Sequence, residues 1–466
     1  MPPISDELRI LLWIIVGIAA VVFGIFTYIL QPNLSSKIRR LIPFEERRGR
    51  KPKKRSNLVW FLFFLTGSIS IVGAAIASTA PTQIKTEQMV GDFRVAVAGF
   101  KQVGDSQEKE LGVELAKGVH LRFEQNLSDI IPGLIITVWG PEKVGVVGGE
   151  NREIRAKEAA RISDEIDADM IIYGVVDTSQ SIWQVRPEFY ISGKNFYEAE
   201  EIVGQYEMGS SISLPGQDDI SGRVELGDQM SDRTQVLSRL TIGLAYYAIR
   251  DYDKALELFL ATESIHDWDD DHSKKVIYLL IGNAAGKLKD TVLAKEYYKN
   301  ALDLDPEYAR LYVGLGSASY IEAFEPFEKS NDPKQIDVDL VNDAISKYLY
   351  ALQATNKPAL SDIESKVHFG LGQSYLLREF SRHNPNFDLA ISEFQAVIEE
   401  YDGGVNPRII ELAAEAHARL GLIYDLVGKY SQAVEEYENA ASLLFDHPER
   451  QAQYLLRAKS IGEAVQ

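Results

Sequence analysis

The sequence of 466 residues contains no cysteine. Disulfide bonds, cysteine-ligated zinc and a thiol nucleophile are therefore excluded. Positive charge is also scarce, because 49 Lys and Arg stand against 68 Asp and Glu, a formal net charge of −19 at pH 7. Nucleic-acid phosphates require a basic face, so this balance argues against a nucleic-acid partner. The length exceeds what one ordinary core needs, and two or more folded units are expected.

Recognisable catalytic motifs are missing as well: the chain has no Ser/His/Asp arrangement, HExxH sequence or paired-carboxylate motif. Gly148 and Gly149 fit a plain turn better than a phosphate loop, because the following Glu150 would repel an anion. The acidic segment 266–272 lacks the glycine and distal glutamate of a calcium loop and fits a helix N-cap. The sequence therefore predicts no enzyme, no cofactor and no metal site.

Two long runs without a charged residue lie near the start of the chain, at residues 10–30 and 58–80. As a helix, the first run of 21 residues would be about 31 Å long, enough to cross the hydrocarbon core of a membrane. Helices of soluble proteins seldom extend so far without a polar face. The sequence therefore predicts a transmembrane α-hairpin. The alternative is that the second run is a signal peptide cleaved near residue 77.

The charge of the loop between the two runs predicts their orientation. Residues 31–57 carry ten Lys or Arg and two Glu, a net charge of +8, whereas residues 1–30 sum to −1. Short basic loops stay on the cytoplasmic side of a membrane. This pattern predicts a cell-membrane protein with two spans, an extracytoplasmic N-terminus and an extracytoplasmic region after residue 80. The lipid bilayer is then one expected partner.

Residues 90–216 alternate between strand and helix patterns. Apolar strands are expected at 93–100, 134–139 and 170–176, helices at 107–127 and 152–166, and strands with one wet face at 183–191 and 202–213. The third of these strands is almost wholly apolar, as in strands that are covered on both faces. The order predicts an α/β domain with a mixed sheet and helical crossovers.

Three stretches of this domain, "FRVAVAGF", "GVELAKGVHLRF" and "AKEAARISDEIDADMIIYGVV", resemble the amino-terminal domain of TolB and related lipoprotein and repeat-protein modules. The resemblance covers about 110 residues, and the glycine-rich insert "VGVVGGEN" departs from it. It implies a module for protein contact that carries no chemistry of its own.

Self-similarity is strongest after residue 230. In three stretches a Gly lies twelve residues before an Ala, and an aromatic residue follows that Ala by four. The three sets are Gly243, Ala255 and Phe259; Gly282, Ala294 and Tyr298; and Gly421, Ala433 and Tyr437. Gly and Ala would let two antiparallel helices cross closely, and the aromatic ring would fill the gap between neighbouring units.

This pattern resembles the tetratricopeptide repeat (TPR). Two more units open at Gly316 and Gly372, but their second helices resume 16 and six residues late, so insertions are expected in the turns between helices. A closing helix from Arg450 completes an all-α solenoid over residues 231–466, which a linker at 217–230 joins to the α/β domain. His368 and His417 occupy equivalent repeat positions and are expected to be structural.

In this family the first helix of each unit lines the concave face, which implies a set of candidate binding residues. They are Tyr247, Asn283, Lys287, Arg310, Ser317, Tyr320, Lys366, Phe369 and Gln373. Their aromatic, amide and cationic side chains suit an extended peptide, although an ordinary solvated helix face would carry a similar mixture. Only Asn283, Lys287 and Arg310 approximate the cluster with which one variant of the family binds chaperone tails.

Taken together, these patterns predict a multidomain chain with a transmembrane α-hairpin, an α/β domain and a TPR solenoid. The favoured function is a membrane-anchored, extracytoplasmic scaffold or receptor subunit that binds a protein or peptide. The alternative is an envelope sensor whose α/β domain binds a small molecule or glycan. A sensor would need a separate cytoplasmic partner, because a loop of 27 residues is too small to signal by itself.

The orientation can be tested with reporter fusions after Gln466. A reporter that is active only outside the cytoplasm should work at this point, because the basic loop stays inside. The same reporter inserted in the loop 31–57 should be silent, which is the control. Activity of a cytoplasm-only reporter after Gln466 would contradict the predicted topology.

Overall fold

A computed structural model describes residues 87–465, apart from the segments 105–109, 129–132, 197–201, 216–219, 265–270 and 402–408 and the single residues 195, 361 and 446. The predicted spans and the basic loop lie outside the described residues. None of the helices in the described part is long and apolar enough to cross a membrane. Glu87–Gln466 form one compact unit, in which an α/β domain precedes an array of helices.

The α/β domain follows the predicted order of strands and helices. Its strands are β1 (Phe93–Val97), β2 (Lys101–Val103), β3 (Ile136–Trp139), β4 (Met170–Asp177), β5 (Ile182–Ile191), β6 (Gly204–Glu207) and β7 (Ile212–Pro215). Its helices are α1 (Leu111–Ser128), the single turn α2 (Pro141–Val144) and α3 (Arg152–Ile166). The stretch 202–213, expected to be one strand, contributes to two, because Gly209 has a positive φ of 93° and breaks the extended backbone.

The strands form one mixed sheet in the order β3-β1-β4-β5-β6, with β2 also paired to β4 and β7 to β5. Parallel pairing joins β1 to β3 and β4, whereas β5 pairs antiparallel with β4, β6 and β7. Side chains of β1 alternate between two cores, so that Val95 packs on the face that α1 covers and Ala96 on the face that α3 covers. The predicted mixed sheet is confirmed.

Local chemistry sets the limits of α3. The helix begins at Arg152 because the Asn151 side chain accepts a hydrogen bond from the backbone N–H of Ile154. It ends at Ile166, because the following Asp167 has a φ of 60° that places the backbone in the left-handed region. Beyond this turn, the buried Asp169 accepts hydrogen bonds of 3.0 Å from Nε and Nη2 of Arg94 on β1. This ion pair ties the end of α3 to the centre of the sheet.

The helical array consists of five antiparallel pairs, numbered here as units 1–5, and a closing helix. The pairs are α4 (Ile220–Ala248) with α5 (Tyr252–Glu263), α6 (Asp271–Lys287) with α7 (Thr291–Leu304), α8 (Ala309–Ser330) with α9 (Val338–Gln353), α10 (Ile363–Phe380) with α11 (Asp388–Tyr401) and α12 (Ile410–Leu426) with α13 (Tyr430–Leu443). The closing helix is α14 (Pro448–Val465). The linker predicted at 217–230 is wrong, since α4 already begins at Ile220 and packs against α1 and β7.

A close approach between glycine and an aromatic ring recurs along the array. A Cβ atom on Gly282 would lie 2.5 Å from Cε1 of Tyr298, and one on Gly243 would lie 2.3 Å from Cε1 of Phe259. The same Tyr298 ring also meets Gly314 of unit 3, where a Cβ atom would lie 2.4 Å from Cζ. The ring therefore fills the space between neighbouring units, as the repeat pattern predicts.

The insertion in unit 3 is mostly helical, which corrects the expectation of a long turn. Helix α8 is 22 residues long and extends past Pro326 to Ser330. A 3₁₀ helix follows at Pro333–Gln335. The extension is ordered by aromatic contacts, because the Phe327 ring lies 6.1 Å from that of Phe380, and Phe380 lies 6.2 Å from Phe387 in the insertion of unit 4. The two insertions thus pack against each other.

One hydrophobic core runs from the sheet into the array. Val95 of β1, Leu240 of α4 and Leu311 of α8 belong to the same buried cluster. The hydroxyl of Thr241 on α4 lies 3.5 Å from the sulfur of Met170 on β4. The α/β domain therefore covers the first units in the manner of the capping repeat that a solenoid needs at its end.

The glycine crossings can be tested by a matched pair of substitutions in α6. Gly282→Leu should lower the stability of the array by about 3 kcal/mol or more, because its side chain would overlap the Tyr298 ring. Gly286→Leu should change stability by less than about 1 kcal/mol, since a Cβ atom there meets only the Tyr298 hydroxyl, at 3.9 Å. Thermal unfolding of the full chain measures both, and equal midpoints would contradict the packing.

Candidate protein-binding groove

First helices of units 2–5 line two adjoining cavities on one face of the array. One cavity of about 170 Å³ lies between α6, α8 and α10. The other, of about 260 Å³, lies between α10, α12 and α14. Lys287 and Lys366 line both cavities, so the two form one continuous groove.

Small residues open the first cavity beside Tyr298. Gly286 and Gly314 belong to its lining together with the largely buried Tyr298 ring. The Tyr298 hydroxyl donates a hydrogen bond of 2.7 Å to Oδ1 of Asn283, which fixes the orientation of the amide. Asn283 is 4% exposed, and its Nδ2 has no hydrogen-bond partner among the described residues. A buried amide donor in a cavity is suited to the carbonyl or carboxylate oxygen of a bound segment.

Ion pairs form the wall of the second cavity. Nη2 of Arg450 lies 2.5 Å from Oε1 of Glu415, and Nη1 lies 3.6 Å from Oε2 of Glu411. The guanidinium of Arg419 lies 3.7 Å from Oε2 of Glu415. Phe369, which is 8% exposed, provides an apolar part of the lining. The groove therefore combines apolar surface with cations that carboxylates hold in place.

Six of the nine candidate residues come together in the groove. They are Asn283, Lys287, Ser317, Lys366, Phe369 and Gln373. Tyr320 is not part of either lining, because its ring stacks on Phe324 at 5.8 Å between centroids. Burial raises the pKa of Tyr320 to about 12. Its contribution is therefore to packing beside the groove.

Tyr247 and Arg310 require correction, since neither is accessible to a ligand. Tyr247 is 2% exposed and lies beneath Phe196 of the α/β domain, with 6.5 Å between ring centroids. Arg310 is 0% exposed, stacks on the Tyr206 ring at 4.0 Å and donates a hydrogen bond to the backbone carbonyl of Val203. Both residues lie where the α/β domain covers the array, a contact that repeat spacing does not reveal.

A second contact between the domains closes the sheet edge at β6. The backbone N–H of Gln205 donates a hydrogen bond of 3.2 Å to the carbonyl of Ala359, in the loop between α9 and α10. Gly204 has a positive φ of 108°, and a Cβ atom there would lie 2.7 Å from the carbonyl oxygen of Leu360. The close approach of the two backbones therefore requires glycine at this position.

Sequence reasoning missed the residues that unit 5 and the closing helix contribute to the groove. These are Glu411, Leu412, Glu415, Arg419 and Arg450. A signal for Glu415 was present, because it lies six residues before Gly421, as Lys366 lies six before Gly372. Extending the repeat register by one unit would have found it. Arg450 could not be found in this way, since the closing helix has no second helix to define its register.

In folds of this kind, ligands often bind in a crevice at the carboxyl ends of the parallel strands. In this α/β domain, residues of the domain itself occupy that crevice. Gly99, just after β1, forms a parallel bridge with Val146, and its N–H donates a 2.7 Å hydrogen bond to the Gly145 carbonyl. Nζ of Lys101 donates to the Gly149 carbonyl at 3.0 Å, so the glycine-rich segment is a structural turn. Among the described residues no cluster of His, Asp or Glu is suited to a metal ion.

Residues 276–308 and 414–443, which correspond to units 2 and 5, match the family model of the tetratricopeptide repeat. The array contains tetratricopeptide repeats. A similar solved structure is TTC0263, a thermophilic TPR protein of Thermus thermophilus, at 19% identity and a TM-score of 0.36. That match covers 48% of this chain and 98% of the other. No curated protein matches the chain. TPR repeats form scaffolds for protein–protein interaction, which indicates a protein partner for this array.

The buried position of Arg310 between the domains predicts how its replacement affects stability. Arg310→Ala should destabilise the described unit by roughly 3 kcal/mol, because a hydrogen bond from a charged group contributes about 1.5–3 kcal/mol and the Tyr206 ring also loses its cover. Lys366→Ala, on the groove, should change stability by less than about 0.5 kcal/mol. Denaturant unfolding and limited proteolysis between the domains would detect the difference. Equal stability of the two variants would mean that the interface does not depend on Arg310.

Proposed function

We propose that this chain is a membrane-anchored, extracytoplasmic scaffold or receptor subunit whose groove binds an extended segment of a partner protein. The observation that carries the proposal is the continuous groove across units 2–5, with the Asn283 amide inside it and Phe369 in its lining. An extended segment presents backbone carbonyls for such an amide and side chains for apolar surface. TPR units supply this geometry by stacking their first helices side by side.

Fixed attachment of the α/β domain adds a second surface to the scaffold. The shared core and the Arg310 contacts hold the domain on units 1–3, away from the lining of the groove. A partner could therefore contact the groove and the α/β domain at the same time. This arrangement suits a receptor subunit and agrees with the protein-contact role that the resemblance to the TolB module implies.

The membrane part of the proposal rests on the sequence. Two uncharged runs of 21 and 23 residues flank a loop of net charge +8, which favours an anchor with the described unit outside the cytoplasm. The sensor alternative, in which the α/β domain binds a small molecule or glycan, receives less support. Val147 is 0% exposed and its neighbour Val146 bridges to Gly99 at the crevice where such a ligand would be expected.

Site-specific photocrosslinking in cells tests the groove. A photoreactive residue at Gln373, in the groove, should crosslink to a discrete partner, which mass spectrometry would identify. The control position is Lys459 on the closing helix, whose side chain is 70% exposed and lines neither cavity. The two positions should therefore give different crosslinked products.

Binding of the identified, purified partner then gives the decisive measurement. Lys366→Ala combined with Gln373→Ala should weaken binding at least tenfold, because interface energy concentrates in a few central residues. Lys459→Ala should leave affinity unchanged. Retained affinity in the groove variant would place recognition on the α/β domain and move the sensor alternative ahead.

A further inference from the structure

Histidine–carboxylate pairs connect the helices of units 4 and 5. Nδ1 of His368 on α10 lies 2.7 Å from Oε2 of Glu393 on α11. Nδ1 of His417 on α12 lies 2.6 Å from Oε2 of Glu436 on α13. The two pairs are equivalent in the repeat, since each His lies four residues before the repeat Gly of its unit and each Glu three after the repeat Ala. Each pair joins the first helix of a unit to the second.

Unit 2 has an uncharged contact at the same place. Tyr278 lies four residues before Gly282, and Tyr297 lies three after Ala294. Their rings meet edge to face, with centroids 5.6 Å apart. The repeat can therefore join its helices at this point by aromatic packing, without a group that titrates near neutral pH. Units 4 and 5 have a histidine–carboxylate pair instead.

A third pair lies at the groove itself. Nε2 of His447, in the turn before α14, lies 2.9 Å from Oε1 of Glu411. Glu411 lines the second cavity, and its other oxygen lies 3.6 Å from the guanidinium of Arg450. The turn before α14 and α14 itself are therefore both connected to the groove wall at Glu411.

We propose that unit 4 is a proton-responsive section of the groove, in which protonation of His368 draws α10, the helix that carries Lys366 and Gln373 of the groove lining, towards α11. The consequence for partner binding rests on the function proposed above. The structural change does not, because it concerns contacts within the unbound chain.

The groups that face His368 make the direction definite. His368 faces Glu393 and Glu400 of α11, with Glu364 on its own helix. The hydrogen bond to Glu393 raises the pKa of His368, although burial opposes the increase. A raised folded-state pKa contributes stability that is complete below the unfolded value of about 6.5 and is lost as pH rises through the folded value.

The other two histidines face acids in a similar setting. Glu436 of α13 faces His417, and Glu411 of α12 faces His447. Arg450 of α14 is a cation that shares the Glu411 carboxylate. Each pair is only partly exposed, so solvent screens its charge less than that of a surface pair. For the His368–Glu393 pair, mild acid therefore tightens the contact between α10 and α11, and mildly alkaline solution loosens it.

Hydrogen exchange of the unbound full-length chain tests the proposal at pH 6.0 and pH 8.0, after correction for the intrinsic pH dependence of exchange. Amides of α10 and α11 should be several-fold more protected at pH 6.0. Amides of α6 and α7, which carry the Tyr278–Tyr297 contact, are the internal control and should show no such difference. An equal response of the two regions would overturn the proposal.

Variants separate His368 from other titrating groups. His368→Asn places an amide nitrogen near the position of Nδ1 but cannot gain a proton, so the pH difference in α10 and α11 should disappear. Should this variant fold poorly, H368Y combined with E393Y copies the contact of unit 2 and should have the same effect. A pH difference in α10 and α11 that persists in either folded variant would overturn the proposal. Loss of partner binding in the groove variants would not mimic these results, because no partner is present.

Discussion

The buried guanidinium of Arg310 fixes how the two domains of the described unit are arranged. A charged group with no solvent exposure must have its hydrogen-bonding partners nearby, and these come from both domains. The sheet supplies the Val203 carbonyl and the Tyr206 ring, and Tyr308 of the array supplies a hydroxyl at 3.1 Å. Separating the domains would expose these groups and break the shared core, so the α/β domain is part of the array's structure.

This constraint also determines where a partner can bind. Because the α/β domain covers part of units 1–3, Tyr247 and Arg310 are used in the interface and are not available to a partner. The groove therefore starts at α6, in unit 2, and runs to α14. The loop after α9 binds the backbone of β6 at Gln205. It holds the middle of the array at a fixed distance from the sheet, so the first half of the groove has a rigid support.

Sequence periodicity predicted those features that depend on neighbouring residues. Helix α3 was expected at 152–166 and spans Arg152–Ile166, because a cap and an apolar face define it locally. The glycine–aromatic spacing likewise predicted the crossings of units 1, 2 and 5. Long-range contacts were not predictable in this way. Nothing near Arg310 in the sequence indicates that a strand about a hundred residues earlier supplies its partners, and the helical extension of unit 3 depends on Phe327 meeting Phe380.

The two halves of the groove are therefore held together by different physical interactions. In unit 2 the helices meet through Tyr278 and Tyr297, and the sheet supports them from outside. Units 4 and 5 lie beyond that support, and His–Glu pairs join their helices at the equivalent point. Aromatic packing responds little to pH, whereas a histidine beside a carboxylate, such as His368 beside Glu393, gains or loses a charge near neutrality. Unit 4, which lacks external support, is consequently the part of the groove whose rigidity can change, and a segment bound along the whole groove would contact both this unit and unit 2.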